Sequence, residues 1–206
     1  MLVLIFPLWM LDKPFYDLRI DAQKIRLLGD IRDVTRQFGE PVGIMWIGAV
    51  LWSLDRSRRR PLVIALVATL IASGLGSGTK LLIGRERPKV SGGSTVLQGP
   101  HLPGTMKPDP SFPSGHTTVA FAFAYGLSRL YKPHRKLWLA LAAGCGVSRA
   151  CGEAHFLTDV LVGAWLGWEV AALSWSWPIG PVLMARLDRR ISVRSWFPRW
   201  DWKLAE

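Results

Sequence analysis

Long apolar runs alternate with short charged stretches along this 206-residue chain. Continuous apolar character of this kind predicts helices buried in lipid. Six segments stand out. The first, LVLIFPLWML within Met1–Leu11, is too short at about 1.5 Å per residue to cross a core roughly 30 Å thick. It also lacks the basic flank of a signal peptide. It reads as a truncated helix, or as one whose start lies upstream. The others are Pro41–Leu54, Pro61–Ile83, and segments of roughly 116–130, 137–152 and 158–177. Gly163 and Gly167 in the last form a small-xxx-small pair that lets helices approach closely. The expected fold is an all-α, polytopic membrane bundle of about six segments, one domain over residues 1–206.

Residues 12–40 depart from this pattern. Leu18, Ile25, Leu28, Ile31 and Phe38 recur at near-helical spacing among mixed charges. That predicts an amphipathic helix lying on the membrane surface. Two short packed helices are the alternative.

Composition agrees with lipid as the solvent. Half of the residues are hydrophobic and eleven are Trp, a residue that favours the membrane–water boundary. The net charge of +11 invites a nucleic-acid reading, yet the cations sit in short clusters between apolar runs, which favours a membrane surface and its lipids as partners. Nothing in the sequence identifies a protein partner. Cys145 and Cys151 lack CxxC partners and read as packing residues.

The charged stretches also set orientation. If the helices alternate in direction, DRSRRR (55–60), YKPHRK (131–136) and the basic run 186–203 share one side. With Arg129, that side holds fourteen of the 26 Lys and Arg but four of the 15 Asp and Glu. The positive-inside rule makes it cytoplasmic. In a cell with an inner (plasma) membrane, the opposite polar stretches then face outward.

Those outward stretches carry the candidate chemistry. In KLLIGRERP (80–88), Lys80 and Arg87 are seven residues apart, so a continuing helix places both on one face. Pro88 disfavours helix at Arg87 and marks the helix end. Taken alone, such cations are more often interface anchors. PSGH (113–116) reads as a helix start, whose free N–H groups and dipole attract anions. Gly115 allows close backbone approach, and His116 can move a proton near neutral pH. A plain helix cap is the competing reading. SRACGEAHFLTD (148–159) places His155 and Asp159 at i, i+4. An Asp accepting from one ring nitrogen leaves the other free as a nucleophile. Arg149 offers a planar fork to phosphate oxygens.

Each cluster has a structural reading of its own; together at one face they describe a phosphoryl-transfer site, where cations and N–H donors meet developing charge. His116, His155 and Asp159 could ligate zinc, but Lys80, Arg87 and Arg149 would repel a cation. No metal or other cofactor is therefore expected. GLGSGTK (74–80) lacks the end of a P-loop, and Ser114 does not sit in a G-x-S-x-G elbow.

The three stretches match K-x6-R-P, P-S-G-H and S-R-x5-H-x3-D at every fixed position and in order. In this the chain resembles the type 2 phosphatidic acid phosphatase family, membrane relatives of the vanadium haloperoxidases. The motif core spans residues 80–159. The resemblance implies hydrolysis of a lipid phosphate through a phosphohistidine on His155, supported by Asp159. His116 would protonate the leaving oxygen and then activate water. Lys80, Arg87, Arg149, Ser114 and the Gly115 amide would hold the phosphate oxygens, without a metal. Undecaprenyl diphosphate, phosphatidate, phosphatidylglycerophosphate and lipid A phosphate are candidate substrates, the first slightly preferred. Lipid phosphotransfer and non-catalytic lipid binding are the rival functions. Glu169 inside the sixth segment, His101 and the Gly/Pro-rich loop 91–112 receive no assignment.

Overall fold

The computed structural model describes residues 9–18, 26–105 and 109–176. The basic run 186–203 and most of the first apolar segment lie outside the described residues. Among the described residues eight α-helices follow one another: α1 (Asp12–Leu18), α2 (Arg26–Gln37), α3 (Pro41–Leu54), α4 (Arg59–Ile83), α5 (Pro88–Ser91), α6 (Gly115–Leu130), α7 (Arg135–Cys151) and α8 (Leu157–Ser176). No strand forms among the described residues; an isolated antiparallel bridge pairs Arg85 with Leu97.

α6 lies at the centre, packed against α4, α7 and α8. Its sequence explains that position. Ala120, Ala122, Phe123, Ala124 and Leu127 are all fully buried, so small residues surround the helix and admit neighbours on several sides. The contacts are close enough to require glycine. A Cβ on Gly126 would lie 2.4 Å from Ala65 Cβ on α4. Gly163 and Gly167 do the same on α8, where a Cβ would meet Ser114 O at 2.7 Å and Thr118 O at 2.0 Å. The small-xxx-small pair thus fixes the spacing of α8 and α6. Overpacking against backbone costs about 1–3 kcal/mol. Gly167→Ala should therefore lower the unfolding temperature of detergent-solubilised protein. Gly78→Ala, whose Cβ would meet nothing within 4 Å, should leave it unchanged or raise it.

Of residues 12–40, the described parts form α1 and α2, with residues 19–25 outside the described set, and α2 is packed against the bundle. α2 packs along α7 and leads into Phe38, which is buried between Phe123 and Trp138. That aromatic anchor draws the segment into the bundle. The six-segment expectation is also altered. Only two helical stretches among the described residues are long and apolar enough to cross a membrane, Arg56–Ile83 and Leu157–Ser176. α3 is apolar but has 14 residues, and α6 and α7 have 16 and 17, against about 20 for a full span.

Helix direction brings two of the three basic stretches, 55–60 and 131–136, to one end, the third lying outside the described residues. At one end, Arg58 lies over the Tyr131 ring, and the Tyr131 hydroxyl donates to Asp55. The turns before α4 and α7 therefore meet. The end of α4, the starts of α6 and α8 and the end of α7 gather at the other.

Candidate active site

α4 stops at Ile83 because Gly84 takes a left-handed conformation at φ +58° and its N–H caps Lys80 O. A Cβ there would sit 2.4 Å from Gly99 O, so both torsion and space require glycine. Lys80 is in the last turn, but Arg87 lies beyond the helix in extended backbone before Pro88. The two cations therefore do not share a helix face. Asp109 brings them together instead. Lys80 Nζ is 3.4 Å from its carboxylate and also reaches Pro110 O. Arg87 Nε donates to Asp109 O at 2.7 Å, and Nη1 donates to Ala154 O at 3.0 Å, beside His155.

His155 lies between α7 and α8 and is almost fully buried. Its Nδ1 is 2.8 Å from Ser111 O. A carbonyl only accepts, so Nδ1 carries the proton and Nε2 keeps its lone pair. Asp159 Oδ2 is 3.7 Å from Nδ1, longer than a hydrogen bond. The expected direct Asp–His bond is thus replaced by a bridge: the Ser111 hydroxyl donates to Asp159 Oδ2, and its oxygen is 3.3 Å from Nδ1. Asp159 also accepts the Phe156 N–H at 2.8 Å, the carboxylate half of a capping box at the start of α8. Its other oxygen receives Arg85 Nη1 at 2.7 Å.

The PSGH stretch opens α6 as expected, with Ser114 at the N-cap. Ser114 N donates to Asp159 O at 2.9 Å, which clamps the starts of α6 and α8 together. The Ser114 hydroxyl is buried and accepts from Thr117, keeping its own proton to give. Gly115 faces Lys80, whose Cε would be 3.8 Å from an added Cβ. His116 Nε2 is 3.4 Å from Glu40 Oε1. Arg149, in the last turn of α7, is close enough to interact with Arg87 and His116. Its Nε is buried without a hydrogen-bond partner among the described residues, a donor suited to an anion. All eight predicted side chains or amides thus fall at one end of the bundle.

Burial pushes the His155 imidazole down to about 4; Asp159 opposes this, and Lys80 and Arg87 add to it. The unfolded chain takes up this proton near 6.5, whereas the folded protein does so only near 4. The associated stability is therefore complete above pH 6.5 and lost as pH falls toward 4. Thermal unfolding in detergent should drop across that window, and His155→Gln should flatten the drop.

Sequence reasoning missed Ser111, Asp109, Arg85, Asp12 and Glu40. Arg85 carried a signal, as a second Arg inside the first motif. His101 is placed against Gly99 O, where residues 98–101 fold back on the end of α4. Glu169 is half-buried on α8.

Residues 61–180 match the family model for the PAP2 superfamily. The chain is 30% identical over 128 residues to the bacitracin transport permease protein BcrC of Bacillus licheniformis, covering 59% of this chain and 58% of that protein. It is 30% identical over 135 residues to a lipid A 1-phosphatase of Rhizobium etli, covering 65% and 51%. The chain spans about half the length of these relatives. The crystal structure of Aquifex aeolicus LpxE superposes with a TM-score of 0.56 at 21% identity, covering 82% of this chain and 94% of that one, which shows a shared fold. With more than half of its length under the family model and all three motifs at one end of the bundle, the chain belongs to the PAP2 superfamily.

Proposed function

We propose that this protein is an integral membrane phosphatase that releases phosphate from a lipid phosphate or diphosphate through a phosphohistidine on His155. The observation that carries this is the fixed imidazole. Its Nδ1 proton is committed to Ser111 O, so Nε2 is the nucleophile, and Lys80 and Arg87 converge beside it.

In the first step Nε2 attacks phosphorus and the bond to the leaving oxygen breaks. His116 gives that oxygen a proton. Water then attacks phosphorus, His116 takes its proton, and the electron pair of the P–N bond returns to Nε2. Lys80, Arg87, Arg149, the Ser114 hydroxyl and the Gly115 amide hold the phosphoryl oxygens through both steps. Asp159, engaged by Arg85, Ser111 and the Phe156 amide, stabilises His155 as charge develops. The three cations supply the charge a metal would otherwise bring.

Membrane residence is supported by the two spanning-length helices and by large apolar side chains left exposed on helix exteriors, such as Leu70 at 72% and Trp46 at 69%. In the finer reading, α3, α6 and α7 complete a multi-pass bundle in a plasma or inner membrane. The basic turns are cytoplasmic and the site faces outward. Relatives named lipid A 1-phosphatase support a lipid phosphate as substrate. Undecaprenyl diphosphate remains the first choice within a panel that also includes phosphatidate, phosphatidylglycerophosphate and lipid A phosphate.

The test is phosphate release by detergent-solubilised protein across that panel, with and without a chelator. Release from at least one lipid, unchanged by chelator, is expected. No release from any of the four would overturn the phosphatase reading, and loss with chelator would overturn the metal-free mechanism.

A further inference from the structure

We propose that Glu40, which lies outside all three motifs, is a positioning residue for proton transfer by His116. The inference rests on the phosphatase reading and adds a residue to it. Glu40 occupies the N-cap position of α3, where an acidic side chain would normally turn back onto its own helix. It makes no such cap bond. Its carboxylate instead lies 3.4 Å from His116 Nε2, with Arg36 Nε 3.3 Å from the same oxygen.

The backbone is arranged to bring it there. Gly39 lies so close to the first turn of α6 that a Cβ would be 2.6 Å from His116 O and 2.5 Å from Cys145 Sγ. Phe38, buried against Phe123 and Trp138, anchors the preceding residue. A buried aromatic and a glycine without clearance thus deliver one carboxylate to one imidazole. That imidazole also has two cations near it, Arg149 and Arg36. Both disfavour imidazolium, the form that must protonate the leaving oxygen. Glu40 offsets them. With Nε2 held toward Glu40, Nδ1 is the nitrogen that exchanges a proton with the leaving oxygen and then with water. The carboxylate keeps the Nε2 proton throughout and balances the imidazolium charge.

Leaving-group dependence tests this, because a merely structural role would not produce it. Nitrophenolate leaves as a stable anion, whereas the alkoxide of a lipid alcohol needs a proton. In Glu40→Gln, phosphohistidine formation from phosphatidate should fall about 10- to 100-fold, a share of the usual general-acid contribution. Formation from p-nitrophenyl phosphate should stay within about twofold, giving a nitrophenolate burst followed by slow turnover and trapped phosphohistidine. Both rates are read in the same preparation, so a loss of folded protein lowers them together and leaves their ratio unchanged. In a His116→Gln background, Glu40→Gln should cost nothing further. An unchanged ratio, or equal losses with and without His116, would overturn the role of Glu40. Wild-type protein inactive on p-nitrophenyl phosphate and on every lipid of the panel would instead overturn the phosphatase reading.

Discussion

His155→Ala should reduce phosphate release from lipid phosphates by about 10⁴-fold or more, since removing a nucleophile abolishes the covalent route and leaves only binding and electrostatics. The Ser111 hydroxyl is occupied with Asp159, and the Ser114 hydroxyl already accepts from Thr117. Truncating a buried imidazole that donates to Ser111 O should also lower the unfolding temperature, so the rate is compared per folded molecule; a loss that vanishes on that scale would mean that His155 is structural. Asp159→Asn should act differently. Because Nδ1 already donates to Ser111 O at 2.8 Å, the tautomer survives without the carboxylate. The rate should therefore fall less than in His155→Ala, while stability falls more, because Arg85 loses a buried partner. Protein labelled from a phosphate donor and quenched in alkaline detergent separates the two: His155→Ala should trap no alkali-stable, acid-labile phosphoenzyme and Asp159→Asn should trap some. Acid-labile label of wild-type amount in His155→Ala would move the nucleophile elsewhere.

The site was legible in the sequence to the extent that it depends on spacing and helix direction. Lys80, Ser114, Gly115, His116, Arg149, His155 and Asp159 occupy helix ends or the turns beside them, and alternation of helix direction suffices to place them together. Arg87 reached the same end by another route. Its position depends on a left-handed Gly84 that ends α4 early and on Asp109, which bridges it to Lys80. Neither can be read from a seven-residue interval. Residues 12–40 carried a periodic pattern that fits a membrane surface and a packed helix equally well. Phe38 decides for packing by entering the aromatic core, a contact with residues 85 and 100 positions away in the chain. Ser111 and Glu40 had no signal at all, since their roles rest on a carbonyl and a non-capping carboxylate that sequence-distant packing brings to the imidazoles.

Arg85→Met should destabilise the protein by about 3–5 kcal/mol, the usual result of removing one partner from a buried ion pair. Arg85 is fully buried and satisfies two carboxylates at once. Nη2 donates to Asp12 at 2.7 Å, and Nη1 donates to Asp159 at 2.7 Å and Thr158 at 2.9 Å. Its guanidinium also lies over Phe156, 3.8 Å from the ring centre. Asp12 in turn accepts the Thr158 N–H at 2.9 Å, which fastens α1 to the start of α8. Without the cation, two buried carboxylates lose the guanidinium they share; Lys80 and Arg87 still act on Asp159, so Asp12 is the one that must take up a proton or the region must open. Arg85→Lys should recover little, because a single ammonium cannot present the fork that spans both acids. Asp12→Asn added to Arg85→Met should recover part of the loss, because Asp159 keeps the Ser111 hydroxyl and the Phe156 amide. Unfolding in detergent measures the stability, and phosphate release per folded molecule measures the site. The two should fall together, since Asp159 belongs to the buried pair and to the His155 bridge. If Arg85→Met unfolds more readily yet hydrolyses lipid phosphate at the wild-type rate per folded molecule, the bridge through Ser111 holds His155 without help from the Asp159 charge.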